Sequence, residues 1–389
     1  MQQLAHIRQG DSDANIAGTE RLLLMSATSQ GPSIASVARA LSLSAATVSN
    51  AYNRPEKLSP LQRARILDYA RSVGYAGPNP VARQLSKGRT DTVGLVFVDE
   101  LRYAFHRSLV GFLEGLTEVC EGSGYGLLII PTGVEADDRR ITKITSAAVD
   151  ALVVYSPSDH DPRLDAALAR KQPVVIVEGP RRPQTSWVGL DDAAAAGGLT
   201  RHLLELGHRR IGVVTLRLHA EFGGGPVVDD EWNEAIYRVP RERLRGIIET
   251  LRDFDEPTSH FVYECRESTV AAGAHATDTL MAHHPDVTAV MALDDVLSFG
   301  VLDSAAAASR TVPDDLSVTG FDDVAEAAWR NLTTVRQPIH EKGRVTGRLV
   351  MNGLAAGSGS PEAVILPAEL TIRGSTAPAP RSTRNRCVP

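Results

Sequence analysis

Aromatic residues make up only 5% of this 389-residue chain, and cysteine occurs three times, at Cys120, Cys265 and Cys387. Three distant thiols, odd in number, argue against a disulfide framework and make a reducing compartment the expectation. No run of about 18 apolar residues occurs, so no transmembrane helix and no membrane partner are expected. The first 30 residues hold one short apolar run, Leu22 to Met25, without the longer core and cleavage site of a secretory leader. A cytoplasmic protein is therefore expected. Catalytic signatures are missing too. No phosphate-cradling Gly-x-Gly-x-x-Gly follows the first strand, and Gly122-Ser-Gly-Tyr-Gly126 precedes the second strand instead. No nucleophile elbow or His–nucleophile pair stands out, so the chain is not expected to be an enzyme. No Cys/His cluster has zinc spacing, and the adjacent His283 and His284 cannot share a helix face. No metal and no cofactor are expected.

What is present is enough apolar residue for a large core, 43%, on a chain long enough for two or three units. The net charge of −6 hides an uneven distribution. Between Ser33 and Thr90 nine Lys and Arg face two acids, Glu56 and Asp68. Beyond Thr90 the balance reverses, with 30 basic residues against 42 acidic ones. A compact basic module on an acidic body is the electrostatic footprint of nucleic-acid binding by one part only; a solvated basic helix face would look the same by charge alone.

Residues 1–32 read as a flexible polar tail, 33–76 as a three-helix DNA-binding domain and 77–90 as a hinge and linker. From 91 to 374 short apolar runs alternate with helical segments. The strand runs are Thr92–Val98, Gly126–Ile130, Ala151–Tyr155, Pro173–Val177, Ile211–Thr215, Phe261–Tyr263, Thr288–Met291 and Leu316–Thr319. The helical stretches include Ser108–Cys120, Asp192–Leu206, Arg241–Leu251 and Asp295–Ala308. Two successive sets of such units predict two lobes with parallel sheets wrapped by helices. Residues 217–240, rich in Gly, Asp and Glu, read as an insertion or mobile loop. Residues 375–389, with alternating Pro and then Arg and Ser, read as a disordered tail.

The most specific signal is the run from Pro32 to Asn53. Ser33 can cap a first helix through Ala40 with Ile34, Val37 and Ala38 on one face. Leu41-Ser42-Leu43 makes the turn, and Ser44 caps a second helix from Ala45 to about Asn53. Val48 and Ala51 or Tyr52 point inward there, and Ala45, Ala46 and Asn50 outward. Ser59-Pro60 opens a third helix running to Val73, stopped by Gly74. Two helices joined by a tight turn suit major-groove reading.

These residues resemble the headpiece of the lactose/galactose-repressor family. The resemblance runs through Val37-Ala38, then Leu43 to Asn53, Leu58-Ser59 and Gly74-Tyr75, and resumes at Asn79-Pro-Val-Ala82-Arg-Gln-Leu85. Ser42 stands where the family has a turn glycine, and Asn50 where it has an arginine. By resemblance Ala45, Ala46 and Asn50 face base edges, the alanines limited to thymine methyls and Asn50 able to pair with adenine. Ser44, Thr47, Ser49, Asn53 and Ser59 would hold phosphates, although Ser44 and Ser59 are also helix caps. Asn79, Ala82 and Leu85 fall on the family's hinge helix, which is too short to be stable alone. The resemblance implies that Leu85 wedges into the minor groove; packing of the linker onto the body is the alternative.

From Asp91 to about Arg373 the chain resembles the same family's core, which shares its fold with periplasmic sugar-binding proteins. The landmarks are Val188-Gly-Leu-Asp-Asp192, Leu206-Gly-His208-Arg-Arg-Ile211, Arg243-Leu-Arg-Gly246, Ala292-Leu-Asp-Asp295, Leu316 to Asp323, and Leu332 to Pro338. The fold class expected is an all-α helix-turn-helix headpiece plus an α/β two-lobed periplasmic-binding-protein-like core. Ligands of such folds sit at the carboxyl ends of the strands, where Glu178 and Asp295 fall. By resemblance Arg243 and Asp295 are the main polar effector contacts, with Glu178, Tyr103, Phe105 and Gln337 as further candidates. The alternatives are a helix cap for Asp295 and a surface salt bridge for Arg243.

The reading that follows is a homodimeric repressor that binds a palindromic operator in double-stranded DNA and is controlled by a small-molecule effector, a carbohydrate or derivative. The alternatives are a corepressor-dependent regulator of the purine-responsive kind, and a small-molecule-binding protein without DNA function.

Overall fold

The computed structural model describes residues 32–78, 88–98, 107–133, 137–220, 223–228, 231–356 and 360–380. The chain divides after Arg89 into two compact units.

Among its described residues the first unit holds three α-helices: α1 (Ile34–Leu41), α2 (Ala45–Asn53) and α3 (Pro60–Ser72). Each starts on a serine whose hydroxyl accepts a backbone N–H one turn in: Ser33 from Ser36, Ser44 from Thr47, and Ser59 from Gln62. Ser36 reaches back to the Ser33 N–H, which completes a capping box. Ser42 sits in the left-handed region at φ 56°, so the turn is made without a glycine. A single 3-10 turn, Pro55–Lys57, joins α2 to α3 and was not anticipated from the sequence. Val37, Val48, Ala51, Ile66 and Ala70 are fully buried and form one small core, closed by an edge-on contact of Tyr52 with Tyr75.

The second unit holds two sheets. Its elements run β1 (Thr92–Phe97), α4 (Arg107–Gly122), β2 (Gly126–Pro131), α5 (Asp138–Ser146), β3 (Ala151–Tyr155), α6 (Pro162–Leu168), β4 (Val174–Val177), β5 (Ser186–Leu190) and α7 (Asp192–Glu205). They continue with β6 (Arg210–Thr215), β7 (Gly225–Val227), a 3-10 turn (Glu231–Glu234), α8 (Arg238–Arg252), β8 (Ser259–Glu264), α9 (Val270–His283) and β9 (Ala289–Ala292). The last are α10 (Asp295–Ala307), β10 (Ser317–Asp322), α11 (Ala325–Trp329), β11 (Thr333–Arg336), α12 (Ile339–Ala356), β12 (Ala363–Leu366) and β13 (Glu369–Thr371). One sheet has the order β12-β5-β4-β3-β1-β2, and the other β13-β11-β10-β9-β6-β8-β7. All pairings are parallel except those of the two edge strands β13 and β7. The chain passes between the sheets three times: from β5 to β6, from β11 to β12, and from β12 to β13. Strand β12 therefore completes the first sheet and β13 the second, each added after a crossing.

Strands buried on both faces explain the apolar runs; Leu152, Val153, Ile176, Val177, Val213, Val290 and Met291 are all inaccessible. Helices α4 and α12 cross at close range. A Cβ on Gly115 would stand 2.0 Å from the His340 carbonyl oxygen, and one on Gly343 2.1 Å from that of Phe112. Both positions therefore admit glycine alone.

Two sequence-based expectations are corrected. Residues 217–240, expected to be an insertion or mobile loop, carry β7, a 3-10 turn and the start of α8, and they bury Leu218, Trp232 and Ala235. Apolar anchors spaced among the polar residues hold the segment down, and the buried Glu264 carboxylate accepts the Leu218 N–H. The tail expected to be disordered from Ser375 is docked through residue 380: Ser375 is buried and bonded to both β10 and β11, and Ala379 donates to the Leu206 carbonyl. Backbone hydrogen bonds, invisible in composition, outweigh its proline content. Strands β5, β7, β11, β12 and β13 were also not read as strands; they are short, and β5 carries a glycine and a tryptophan within five residues.

Candidate functional site

The carboxyl ends of strands from both sheets converge on one buried polar cluster. Tyr155 ends β3, Glu178 follows β4, Asp192 opens α7 after β5, Asp322 ends β10, and Gln337 follows β11. Helices α8 and α12 add Arg243 and Lys342. Glu178 at φ 57° and Asp322 at φ 120° both occupy backbone conformations that side-chain-bearing residues rarely adopt. Such strain persists only where the surroundings enforce it, as at binding sites. For Glu178 the enforcement includes its own N–H, which donates to the Val188 carbonyl at 2.8 Å.

The cluster is a chain of charge-assisted bonds. Arg243 donates through Nε to Asp192 at 3.1 Å and through Nη1 to the Leu293 carbonyl at 2.5 Å, and stands 3.9 Å from Asp322. Its guanidinium covers the Phe321 ring, 3.5 Å from the ring centre. Arg238 donates to the other Asp192 oxygen at 2.9 Å. Lys342 donates to Glu178 and, at 2.6 Å, to the Gln337 side-chain oxygen, and Gln337 in turn donates to Asp322. Lys342 and Arg243 are each only 2% exposed, so both cations live on their carboxylate partners.

Burial pushes the Asp322 carboxyl up to about 7, against the pull of Arg243. Burial likewise raises Asp192, against Arg243. Burial opposes ionisation of Glu178 too, but Lys342 beside it wins and holds it below the usual value. Burial raises Tyr155 well above its ordinary range, and the neighbouring Glu178 adds to this. The arrangement offers hydrogen-bond donors and acceptors of both signs, balanced in charge, to a polar ligand.

Of the residues expected from sequence, Glu178, Arg243 and Gln337 stand together in this cluster. Asp295 does not act as a free contact. It is fully buried, accepts the Val324 N–H at 2.9 Å and the Thr334 hydroxyl at 2.6 Å, and so braces the β10–α11 turn against β11. The helix cap is its neighbour Asp294, which accepts from Leu297. Tyr103 and Phe105 lie outside the described residues. Asp322 and Asp192 are further members of the cluster that the sequence did not mark as contacts, although both fall at strand ends, where the fold places ligands. Lys342 and Arg238 carried no local signal, since each is one of several charged residues on its helix and its carboxylate partner is distant in sequence.

In the first unit Ser44, Ala45, Ala46 and Ser59 are exposed, and Thr47, Ser49, Asn50 and Asn53 are half-buried. Ser44 also bonds the Thr47 hydroxyl at 2.8 Å, and Asn53 donates to Ser49 at 3.1 Å. Asn79, Ala82 and Leu85 lie outside the described residues. Among the described residues no cluster of His, Cys, Asp or Glu could hold a metal, and no helix is long and apolar enough to cross a membrane.

Two largely parallel sheets joined by three passages, with a polar cluster at their strand ends, define a body of the periplasmic-binding-protein-like class; residues 200–376 match the model of a periplasmic binding protein-like domain. An HTH-type transcriptional regulator of Mycolicibacterium smegmatis is 38% identical, over 89% of this chain and 96% of its own length. A crystal structure of a LacI-family regulator from Corynebacterium glutamicum superposes with a TM-score of 0.68 at 32% identity, over 89% of this chain and 98% of that one. A transcriptional regulator CelR–cellobiose complex superposes with a TM-score of 0.61 at 25% identity, over 88% of this chain and 99% of that one. The chain belongs to the lactose/galactose-repressor (LacI/GalR) family of HTH-type transcriptional regulators.

Proposed function

We propose that this regulator is a homodimeric repressor whose helical unit reads a palindromic operator in double-stranded DNA, and whose body releases or holds that DNA according to a bound carbohydrate. In this reading residues 33–76 are the DNA-binding domain, 77–90 the hinge and 91–374 the effector-binding domain. The cluster of Glu178, Asp192, Arg243, Asp322, Gln337 and Lys342 carries the proposal. It draws polar groups from both sheets to one place, and paired carboxylates and guanidinium groups bind vicinal hydroxyls bidentately. The CelR complex, which holds cellobiose, supports the class of ligand. Tyr103 and Phe105 would supply apolar walls for a sugar ring. Asp295 would serve as a brace.

On DNA, exposed Ala45 and Ala46 would meet thymine methyls and Asn50 an adenine, with Ser44, Thr47, Ser49, Asn53 and Ser59 on phosphates. Asn79 would cap the hinge helix, Ala82 would lie on its groove face, and Leu85 would wedge between central base pairs. A ligand that favours one arrangement of the two halves shifts the DNA affinity by linkage.

The test is a thermal-shift screen of the full chain over neutral sugars, cellobiose included, followed by fluorescence anisotropy on a duplex selected from a random pool. A stabilising sugar should change the affinity for the selected duplex, and Arg243→Ala should bind that duplex and ignore the sugar. Failure to enrich any duplex would overturn the DNA reading. A sugar response that survives Arg243→Ala would overturn the placement of the site.

A further inference from the structure

Beside the polar cluster, a second set of contacts ties the two halves of the body together. Asp159, in the loop between β3 and α6, belongs to the first half. Its N–H donates to the Ile236 carbonyl at 2.9 Å, and its carboxylate receives both Nη atoms of Arg241, the second at 3.5 Å. Ile236 and Arg241 belong to the second half, at the approach to α8 and in its first turn. The segment that carries them is itself fixed: the Ile236 N–H donates to Leu218, Arg241 also donates to the Ala235 carbonyl at 2.6 Å, and Trp232 is 4% exposed. On the other side Arg182 donates to the Asp159 carbonyl. Arg238, one turn before Arg241, lays its guanidinium over Trp187 of β5, 4.9 Å from the ring centre.

We propose that residues 231–241 form a latch that holds the two halves together whether or not the cluster carries a ligand. Asp159 is its keeper and Arg241 its bolt. The Asp159 and Arg241 side chains remain 25% and 24% exposed, so water and salt reach the pair. Opening of the body therefore requires the latch to part first, and ions ease that step. The inference does not rest on what the body binds.

The test is hydrogen exchange read by mass spectrometry on the full chain, with Asp159→Asn, Arg241→Gln and the two combined. Each single variant should speed exchange about fivefold in both 156–161 and 231–241, the factor that a loss of about 1 kcal/mol gives. The β1 and β3 peptides should be unchanged. The combined variant should exchange no faster than the faster single one, because both remove one interaction. Speeding of only one segment means local fraying and overturns the latch, as do parental rates or two effects that multiply. The unsubstituted chain gives a second reading. Exchange in both segments should rise as sodium chloride goes from about 0.05 M to about 0.5 M, and indifference to salt overturns the ionic bolt.

Discussion

The guanidinium carbon of Arg243 stands 3.5 Å from the centre of the Phe321 ring, and the same side chain binds Asp192 through Nε. Phe321 therefore does two things at once: it fills the core on β10 and sets the plane of a buried cation. Phe321→Leu keeps an apolar side chain but removes the aromatic face. It should cost about 2 kcal/mol in urea denaturation, from lost packing and the lost cation–π contact. A variant as stable as the parent would mean that the ring contributes nothing to holding Arg243.

Replacing Arg243 itself should be harsher. Arg243→Ala leaves Asp192, wholly buried, with Arg238 alone. Breaking such a pair costs about 3 to 5 kcal/mol. Arg243→Lys should recover little, because a point charge cannot reach Asp192 and the Leu293 carbonyl together. Thermal denaturation of both variants checks the ranking.

Lys342 and Glu178 form a buried pair whose members are costly when left alone. Lys342→Met and Glu178→Gln should each destabilise by about 3 kcal/mol, while the double variant should lose much less than their sum. Strict additivity in urea titrations would mean that the two groups do not depend on one another.

Asp322 gives the stability a pH signature. Its carboxyl is pushed up to about 7 by burial, so the folded chain holds that proton more tightly than the unfolded one, where the value is about 3.9. The stability that Asp322 contributes should therefore be lost as pH rises from about 4 through about 7. Burial and the Asp322 charge raise Asp295 in the same direction, so Asp322→Asn should flatten this slope rather than remove it. Denaturation midpoints across that window provide the check; an equal slope in parent and variant would contradict the assignment.

Ser42 holds a left-handed backbone at φ 56° between α1 and α2. Relief of its Cβ strain by Ser42→Gly, reduced by glycine's greater freedom in the unfolded chain, should stabilise the first unit by about 0.5 to 1 kcal/mol. Slower hydrogen exchange across α1 and α2 in the full chain would show it.

Much of this was legible in the sequence because the signals were local. Ser33, Ser44 and Ser59 announce helix starts through the reach of a hydroxyl over one turn, and the structure caps all three helices that way. The apolar runs that became β3, β4, β6 and β9 were read because doubly buried strands need no alternation. What stayed hidden depends on distant partners. Lys342 meets Glu178 across 164 positions of chain, and no window of sequence contains both. Asp294 and Asp295 are adjacent and chemically alike, so only the fold distinguishes the cap from the brace. The 217–240 segment misled through its composition: a few apolar anchors and one buried carboxylate, Glu264, outweigh its glycines and acids.

The docked stretch 375–380 bears on how this protein can be handled at the bench. Ser375 links the Thr333 N–H to the Val318 carbonyl, Ala377 receives the Ser317 hydroxyl and the His208 ring, and Thr376 meets His202. A fluorescent reporter or affinity handle fused after residue 380 leaves every one of these bonds intact. A chain trimmed back to Gly374 leaves the buried His208 ring with Thr288 as its one remaining partner, and removes the Ser375 bridge between β10 and β11.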